Sequence, residues 1–299
     1  MILDRNENKD VAVLLGAGSM GMAILRRVAA GKKILLGGRR QSSLDKAAEN
    51  LRYSGYDVET FVVDAVDPVQ VRAFAEKAAS LGPVKIFIDT AGASPSQASP
   101  EEIIKLDLIG TAYALDIFGE VMAPGGAGVI ISSMTGYMPH HLTPEDETAL
   151  ALTPSEELRE LPCLAADKIT NSGIAYIVSK RCNHLRVRTA AATTWAERGA
   201  RINSISPGIV VTPLAYDEFN APGTTYQSMI DTCAVRRAGT SDEIAAAGAY
   251  LLGPDAGFVT DTDLLIDGGT IAALKSGLFN LRVRQGAKNT WRRKNWASA

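Results

Sequence analysis

Hydrophobic residues in this chain form short continuous runs that alternate with longer stretches of helical periodicity. The runs predict strands at residues 11–15, 33–36, 58–63, 84–88, 128–131, 201–204 and 264–266. Strands that are apolar throughout are typical of a parallel sheet with helices on both faces. The pattern therefore predicts an α/β fold, a doubly wound parallel sheet of about seven strands.

Polar residues mark where the helices between these strands begin. Ser42 and Ser43 are predicted N-caps of a helix that ends near residue 53, and Asp67-Pro68 is predicted to start the next helix. Ser99-Pro100-Glu101-Glu102 predicts the start of a long helix to about residue 122. Since no linker or repeat interrupts the alternation, residues 1–274 are predicted to form a single domain.

Composition and charge narrow the class of protein. The chain has 299 residues, 46% of them hydrophobic, and a net charge of −2, so nothing global indicates nucleic acid or an anionic membrane as partner. Three widely separated cysteines fit no metal-ligand spacing and predict buried free thiols in a reducing compartment. The N-terminus lacks the apolar core of a signal peptide, and no apolar run reaches the ~18 residues that span a bilayer. We therefore expect a cytoplasmic protein with no membrane span.

The first strand ends at a glycine-rich loop, Gly16-Ala-Gly18-Ser-Met-Gly21. A G-x-G-x-x-G sequence at the first junction of strand and helix is typical of a dinucleotide-binding turn. Gly16 would permit the tight turn, Gly18 would let a pyrophosphate approach the backbone, and Gly21 would let the helix pack on the strand. Glycines that serve an ordinary turn are the alternative, but their position favours nucleotide binding.

The end of the second strand distinguishes between the nicotinamide cofactors. NAD-specific folds place an Asp or Glu about 20 residues after the glycines to bind the ribose 2′-hydroxyl, whereas this chain has Gly37-Gly38-Arg39-Arg40. Two guanidinium groups would form bidentate bonds with a 2′-phosphate, which favours NADP(H) over NAD(H). The alternative is that both arginines are solvated, which would leave NAD(H) as the cofactor.

A Tyr-x-x-x-Lys pair, Tyr176 and Lys180, opens a helical stretch that is predicted to reach about residue 198. Positions i and i+4 lie on one face of a helix, so the phenol and the ammonium group would point into the same space. The cation would lower the pKa of the phenol toward a range where it exchanges a proton near neutrality. An ordinary amphipathic helix is the alternative, and the pair alone does not exclude it.

Taken in order, these motifs resemble those of the short-chain dehydrogenase/reductase family. The resemblance extends from about residue 11 to residue 269, and it rests on the glycine loop, Asp64, Thr90-Ala-Gly92, Ser132-Ser133, Tyr176-x-x-x-Lys180, Pro207-Gly-Ile-Val-Val-Thr212 and Ile266-Asp-Gly-Gly269. It implies a Rossmann-type fold with helices on both faces. It also implies a homodimer or homotetramer that associates through the long helices.

The resemblance implies a role for each matching residue. Ser133 would hydrogen-bond the substrate oxygen, Tyr176 would be the general acid of reduction or the base of oxidation, and Lys180 would also hold the nicotinamide ribose. Asp64 would accept a hydrogen bond from the adenine amino group, with a capping or turn aspartate as the equally consistent alternative. The residues implied in cofactor binding are Gly16, Gly18, Ser19, Met20, Gly21, Gly38, Arg39, Arg40, Asp64, Ala65, Thr90, Ala91, Gly92, Tyr176, Lys180, Pro207, Gly208, Ile209 and Thr212.

Two positions depart from the family pattern. The family's glycine loop is usually one residue longer and begins with Thr, which leaves the phosphate contacts of this loop open. Asp107 stands where the family commonly has an Asn that bends the helix and anchors a proton-relay water. The charge of Asp107 would also stabilise Lys180 as a cation, so the sequence is compatible with either a direct or an indirect role in catalysis.

Ser133 and Tyr176 are 43 positions apart, farther than in typical family members, so residues 137–172 are an insertion. The insertion contains two predicted helix starts, Thr143-Pro144 and Thr153-Pro154. Because it begins and ends near catalytic residues, we expect a helical lid over a large, mostly apolar pocket, with an oligomer-contact flap as the alternative. Its predicted inner face consists of Leu150, Leu152, Leu158, Leu161 and Leu164.

Two further features carry no firm functional prediction. Adjacent residues such as His140 and His141 seldom bind one metal ion, so we expect a loop-surface pair and no metal site. Residues 275–299 form a tail with seven basic and no acidic residues, together with several large apolar side chains. The tail would dock on a neighbouring subunit, bind an acidic partner or stay disordered, and the sequence does not choose among these.

Together the motifs predict an NADP(H)-dependent oxidoreductase that interconverts a ketone and a secondary alcohol by hydride transfer. The small-molecule substrate is expected to be bulky and apolar, as for a carbonyl reductase or a hydroxysteroid dehydrogenase, or a polyketide-like ketone. An enoyl-thioester reductase fits the sequence less well, because that branch of the family spaces its Tyr and Lys more widely than Tyr176 and Lys180. A catalytically idle, nucleotide-sensing regulator is the alternative from another class, although such proteins usually lose the Tyr or the Lys.

Overall fold

A computed structural model describes residues 9–213, 215 and 226–277 of the protein. The strands are β1 (Val11–Leu15), β2 (Lys33–Gly38), β3 (Asp57–Val62), β4 (Val84–Asp89), β5 (Met122–Ile131), β6 (Arg201–Pro207), β7 (Val210–Val211), β8 (Gly239–Thr240) and β9 (Asp263–Ile266). The α-helices are α1 (Ser19–Val28), α2 (Gln41–Tyr53), α3 (Pro68–Leu81), α4 (Pro100–Ile103), α5 (Thr111–Val121), α6 (Pro144–Leu152), α7 (Ser172–Ala192), α8 (Thr194–Glu197), α9 (Tyr226–Thr232), α10 (Ser241–Leu252) and α11 (Thr270–Lys275). Most of the predicted basic tail, residues 278–299, lies outside the described residues.

The described residues form a seven-stranded parallel sheet in the order β3-β2-β1-β4-β5-β6-β9, which confirms the predicted doubly wound sheet. β7 and β8 pair separately. The chain leaves β1 toward one edge through β2 and β3 and then returns to build the other edge from β4. The strand order therefore reverses between β1 and β4, and ligands of open α/β sheets bind at the carboxyl ends of the strands at such a point.

Alternate residues of the strands serve the two faces of this sheet. Val11 and Val13 of β1 are fully buried in a cluster that includes side chains of α3 and α5. Ala12 and Leu14 are equally buried on the other face, against α1, α2 and α10. Because helices cover both faces, every position of β1 excludes water, which explains why this strand reads as a continuous apolar run.

Helix starts were predicted with mixed success. Asp67 caps α3 as predicted, because its Oδ1 accepts a hydrogen bond from the backbone N–H of Val69 at 2.9 Å. Ser99 and Glu102 form a capping box at the start of α4. The prediction that Ser42 and Ser43 cap α2 is wrong, because that helix begins at residue 41 without a side-chain cap.

The structure interrupts two helices that the sequence predicted as continuous. The helix predicted from residue 99 to 122 contains a π-helical segment, Ile104–Gly110, between α4 and α5, and the helix predicted to reach residue 198 breaks at Thr193. A Cβ on Gly110 would lie 2.9 Å from the Ala65 carbonyl oxygen, so the π segment lies directly against the turn that follows β3. Short π segments are frequent at functional sites, and this one places Asp107 in the interior.

The insertion packs against α7 and the α4–π–α5 stretch. Thr143 forms a capping box at the start of α6, as predicted, but the helix start predicted at Thr153 is wrong, because turns and short 3₁₀ helices follow there. The leucines at 150, 158 and 164 are buried in one cluster with residues of the π segment and α7, whereas the leucine at 152 is exposed. Most of the apolar face of the insertion is therefore used for packing within the chain.

Two arginines of α7 fasten the insertion. Arg181 Nε and Nη2 donate to Glu147 Oε1 and Oε2 at 2.6 and 2.9 Å. Arg186 Nη1 donates to the Thr153 carbonyl oxygen at 2.5 Å, and its Nη2 donates to Asp116 Oδ2 at 2.8 Å. Charge-assisted hydrogen bonds of this kind are stronger than neutral ones, so they hold the insertion firmly against α7.

Two expectations from composition have structural counterparts. Cys163, Cys182 and Cys233 are free and buried, as predicted. Among the described residues, no helix combines the length and the apolar character needed to cross a bilayer.

Candidate active site

A cavity of about 510 Å³ opens where β1, β2, β3 and β4 end. This is the edge at which the strand order reverses, so the topology and the cavity indicate the same ligand site. Most of the predicted cofactor residues line it, namely Gly16, Gly18, Ser19, Met20, Gly21, Gly38, Arg39, Arg40, Ala65, Thr90, Ala91, Gly92 and Thr212.

The glycine loop shapes the floor of this cavity. Gly16 has a positive φ of 86°, and a Cβ there would lie 2.7 Å from the backbone N of Ala91. A Cβ on Gly21 would lie 2.7 Å from Leu14 Cδ1, whereas one on Gly18 would meet nothing within 4 Å. Among the described residues, no side chain caps α1, which begins directly after Gly18. An uncapped helix N-terminus beside open space fits a pyrophosphate, since its backbone N–H groups bind anions.

Arg39 and Arg40 are exposed at the rim of the same cavity. Within the described part of the chain, no hydrogen bond or close ion pair occupies either guanidinium group, and no carboxylate lines the cavity. Both groups are therefore available to an anion that reaches the rim.

Asp64 is placed differently from its neighbours. Ala65 lines the cavity, but Asp64 does not. Its Oδ1 accepts a hydrogen bond from the backbone N–H of Val66 at 3.3 Å, and its own N–H donates to Gln70 Oε1 at 3.0 Å. These local contacts match the turn aspartate that the sequence left as an alternative to an adenine contact.

A second cavity, of about 180 Å³, adjoins the first, and Met20 and Thr212 line both. The structure brings Ser133 and Tyr176 together here, although they are far apart in sequence. The predicted residues Pro207, Gly208 and Ile209 also line it. Residues 137–172 are all described, and none of them lines this cavity. The predicted lid over the substrate is therefore not seen. The insertion packs against α7 and the π segment instead.

Ser133 and Tyr176 approach the second cavity from two elements that are joined by a hydrogen bond. Ser133 follows the end of β5 and its Oγ accepts a hydrogen bond from the N–H of Thr135 at 3.2 Å. The preceding residue, Ser132, donates through its Oγ to the Lys180 carbonyl oxygen at 3.0 Å. The strand end is thereby attached to α7 at the helix turn that carries Lys180.

Lys180 is almost fully buried, and its charge is balanced within the protein. Its Nζ lies 2.8 Å from Asp107 Oδ1 and 5.2 Å from the centre of the Tyr176 ring. Asp107 Oδ2 accepts a hydrogen bond from the N–H of Ala93 at 2.9 Å. Burial alone would lower the pKa of Lys180, but the charges of Asp107 and Tyr176 outweigh burial and raise it. Lys180 therefore remains a cation, as expected from the sequence, and Asp107 stabilises that charge directly.

Small residues make room for this ion pair. A Cβ on Gly92 would lie 2.8 Å from Asp107 Oδ1 and 3.7 Å from Lys180 Nζ. Any larger side chain at residue 92 would displace the carboxylate, so this glycine makes room for the ion pair as well as lining the first cavity.

Two residues of the centre were missed in the sequence. Asp89 is buried at the end of β4, and its Oδ1 accepts a hydrogen bond from the N–H of Ala91 at 2.9 Å. Burial raises the pKa of Asp89 to about 7, although that hydrogen bond and the charge of Lys180 act in the opposite direction. The signal for Asp89 was available, because a carboxylate ends an otherwise apolar strand beside the nucleotide loop.

Asn183 is the second missed residue, one turn after Lys180 on α7 and fully buried. With its amide oriented to suit its neighbours, its side-chain N donates to the Asp107 carbonyl oxygen at 2.9 Å and to the Ser179 carbonyl oxygen at 3.0 Å. It satisfies the backbone acceptor of a residue in the π segment. No sequence pattern indicates this contact, because it joins two helices that are distant in sequence.

Two family models cover most of the chain. Residues 10–144 match the model described as short chain dehydrogenase, and residues 161–270 match the model described as enoyl-(acyl carrier protein) reductase. The chain belongs to the short-chain dehydrogenase/reductase family, and it is an oxidoreductase acting on alcohols and ketones with a nicotinamide cofactor. Residues 145–160, between the two matches, lie within the insertion.

Individual relatives agree with this assignment. "Short-chain dehydrogenase/reductase bsc3" of Alternaria brassicicola is 38% identical over 273 residues, covering 89% of this chain and 97% of that protein. "3-alpha-hydroxysteroid dehydrogenase/carbonyl reductase" of Comamonas testosteroni is 30% identical over 193 residues, 63% of this chain and 73% of that protein. The solved structure of a "blue fluorescent protein from metagenomic library in complex with NADPH" has the same fold, with a TM-score of 0.67 at 24% identity, covering 89% of this chain and 99% of that one.

Proposed function

We propose that this protein is an NADP(H)-dependent reductase that converts a bulky apolar ketone to a secondary alcohol, and the alcohol back to the ketone, by hydride transfer. The observation that carries the proposal is the buried ion pair of Lys180 and Asp107 beneath Tyr176, where the second cavity adjoins the nucleotide cavity. An oxidoreductase of this family needs a proton-exchanging phenol next to its cofactor. The idle nucleotide-sensing regulator gains no support, since Ser133, Tyr176 and Lys180 are all present.

Each of these residues has a chemical task in the proposed reaction. When bound, NADP(H) supplies or accepts the hydride, while the protein controls the proton. Tyr176 donates its phenolic proton to the substrate oxygen in reduction and accepts it in oxidation. Lys180 is the fixed cation that favours the ionised phenol, and Ser133 donates a hydrogen bond to the same substrate oxygen. Asp107 acts through Lys180, because it holds the ammonium group in place and does not line the second cavity.

The proposed cofactor contacts follow from the shape of the first cavity. The N-terminus of α1 beside Gly18 would bind the pyrophosphate, and Arg39 and Arg40 would bind a 2′-phosphate at the rim. Pro207, Gly208 and Ile209 line the adjoining cavity and would pack against the nicotinamide end.

Cofactor preference is tested by titrating the protein with NADPH and NADH and following fluorescence. We expect NADPH to bind at least about tenfold more tightly, since two charge-assisted contacts are worth more than 1.4 kcal/mol together. The double variant Arg39→Ala/Arg40→Ala should lose this preference, and Arg72→Ala, an exposed arginine of α3, should keep it. Equal affinities of the wild-type protein for the two cofactors would leave NAD(H) as the cofactor.

The second cavity supports an apolar substrate. None of its described lining residues is charged, and its apolar surface includes Met20, Pro95, Met134, Ile209 and Val210. Its polar lining consists of hydroxyl groups, such as those of Ser133, Tyr176 and Thr212, which would bind the substrate oxygen. The relatives are named for both classes of substrate, a hydroxysteroid in one case and galactitol in another, and the assay described next compares the two classes.

Turnover is tested by NADPH consumption with a panel of bulky cyclic ketones and open-chain sugar ketones. We expect activity with the cyclic ketones, and Tyr176→Phe should reduce kcat by roughly 10²–10⁴-fold while leaving NADPH affinity unchanged. An unchanged kcat in Tyr176→Phe would remove the phenol from the mechanism. We also propose a cytoplasmic homodimer or homotetramer, as the family resemblance suggests, which light scattering after size-exclusion chromatography would measure.

A further inference from the structure

A second, largely buried polar cluster lies one helical turn along α7 from Lys180, around His184. Asp263, the first residue of β9, accepts hydrogen bonds at Oδ1 from Ser204 Oγ at 2.6 Å and from Ser206 Oγ at 2.9 Å. Its Oδ2 accepts one from the Tyr137 hydroxyl at 2.7 Å. The side chain of Asp263 is about 10% exposed, so these donors supply the hydrogen bonds that water would otherwise give.

His184 completes the cluster. Its Nε2 lies 2.8 Å from Ser206 Oγ and 3.4 Å from Asp263 Oδ1. Because Ser206 uses its own proton on Asp263, His184 must donate to Ser206 through Nε2–H. Burial lowers the pKa of His184 despite the nearby Asp263, and burial together with the hydrogen bond to Asp263 raises that of Tyr137. Near neutral pH, His184 is therefore uncharged and Tyr137 keeps its hydroxyl proton, so the hydrogen bonds of the cluster do not change.

This cluster is attached to the catalytic centre through one short segment. Tyr137 ends the 3₁₀ turn Met134–Tyr137, which begins directly after Ser133, and both Met134 and Thr135 line the second cavity. The turn packs closely on α7, since a Cβ on Gly136 would lie 2.5 Å from His184 Cε1. The other end of the segment is fixed by the hydrogen bond from Ser132 to the Lys180 carbonyl oxygen.

We propose that Tyr137, with Asp263 and His184, is a positioning residue that sets where Ser133 lies relative to Tyr176 and Lys180. The segment that carries Ser133 is anchored at two residues. Ser132 is hydrogen-bonded to Lys180 of α7, and Tyr137 is hydrogen-bonded to Asp263 of β9. The proposed mechanism uses neither Ser132 nor Tyr137. Loss of the Tyr137 hydroxyl removes one of three hydroxyl donors to a buried carboxylate and frees one end of the segment. Displacement of a catalytic group by about 1 Å can cost roughly 100-fold in rate. This inference rests on the proposed ketone reductase activity.

The test compares Tyr137→Phe with Tyr56→Phe in the full-length protein. Tyr56 also donates its hydroxyl from a partly buried position, to the Arg26 carbonyl oxygen at 2.7 Å, but far from the catalytic turn. Both variants keep the aromatic ring and lose one hydrogen bond, so a merely structural role predicts a loss of thermal stability, larger for Tyr137 because its acceptor is charged, and no loss of kcat. We expect Tyr137→Phe to lower kcat roughly 10- to 100-fold with NADPH affinity within about twofold, and Tyr56→Phe to leave both unchanged.

A kcat of Tyr137→Phe within about twofold of the wild-type value would overturn the proposal. Crystal structures of the wild-type protein and Tyr137→Phe, each with NADPH, provide a readout that does not depend on turnover. We expect the distance from Ser133 Oγ to Lys180 Nζ to change by at least about 0.5 Å, and an unchanged distance would overturn the proposal. If the wild-type protein reduces no ketone, the proposed function fails, and the two crystal structures alone decide the role of Tyr137.

Discussion

The proposed cofactor cavity and the proposed catalytic centre are adjacent, but they are built from different kinds of residue. The cavity is shaped by glycines at close approaches, such as Gly16 and Gly21, and its charged residues, Arg39 and Arg40, are exposed at the rim. The catalytic centre is the reverse, since it holds Lys180 together with carboxylates that are almost fully removed from water.

This difference determines how each region responds to change. At the rim, charges are solvated in the absence of cofactor, so altering them affects affinity more than stability. In the catalytic centre each charged group has lost the favourable free energy of hydration, and the interaction with its partner offsets that loss. Substitutions in the catalytic centre should therefore change the free energy of unfolding and the pKa values of the neighbouring groups. Catalysis should change as a consequence.

The largest effect is expected from removing one partner of the buried ion pair. Lys180→Met keeps the length of the side chain but leaves Asp107 buried without its cation, so the free energy of unfolding should fall by about 3–5 kcal/mol. Urea denaturation measures this. Lys105→Met breaks an exposed ion pair with Glu101 of 3.0 Å and should cost less than about 1 kcal/mol.

The double variant Lys180→Met/Asp107→Asn tests the cause of that loss. It removes both charges, so it should recover most of the stability lost in Lys180→Met. If the single and double variants are equally unstable, the loss comes from packing and not from the unpaired carboxylate.

The next effect is a pH dependence that arises from Asp89. Its pKa of about 7 exceeds that of an aspartate in an unfolded chain, about 3.9, so between these values the folded protein holds a proton that the unfolded chain has released. The contribution of Asp89 to stability is fully present below about pH 4 and is lost as pH rises to about 7, by up to about 1.4 kcal/mol for each pH unit.

Asp89→Asn isolates this contribution, because an amide does not titrate and still accepts the hydrogen bond from Ala91. The stability of wild-type protein minus that of the variant, measured by urea denaturation at several pH values, should decrease from pH 4 to pH 7. Parallel stability curves would show that Asp89 titrates as it does in the unfolded chain.

A smaller effect separates the two roles of the glycine loop. Gly16→Ala introduces a Cβ 2.7 Å from a backbone atom at a positive φ, so it should lower the free energy of unfolding by about 1–3 kcal/mol. Gly18→Ala meets no protein atom and has an ordinary φ of −77°, so stability should be unchanged while NADPH binding weakens. Thermal unfolding and NADPH titration of both variants measure this. Equal loss of stability in both would assign Gly18 a structural role as well.

The smallest effect concerns salt. Exposed charges are screened when the Debye length shrinks from about 10 Å at 0.1 M salt to about 3 Å at 1 M. NADPH affinity should therefore fall a few-fold across this range through Arg39 and Arg40, and the fall should be weaker in Arg39→Ala/Arg40→Ala. The stability difference between the wild-type protein and Lys180→Met should barely change with salt, because that pair is buried. A salt-insensitive NADPH affinity would show that these arginines do not contact the cofactor.

The sequence by itself determined most of the strands and the glycine loop that lines the first cavity. The apolar runs define strands such as β1, whose predicted bounds match those of the structure, because side chains covered on both faces exclude polar residues. The glycine loop and the spacing of Tyr176 and Lys180 are equally local, since each depends on the sterics of one turn or one helix face. Features of this kind are predictable because few distant residues influence them.

Only the tertiary structure decided which charges meet and what the insertion does. Lys180 finds Asp107 on the π segment and lies near Asp89 at the end of β4, three elements whose approach depends on the whole sheet. The insertion presents apolar residues that would suit a lid or a buttress, and its packing on α7 follows from partners, such as Arg181 and Glu147, that are far apart in sequence. Local patterns state which surfaces must be buried, whereas long-range packing decides against which partner they are buried.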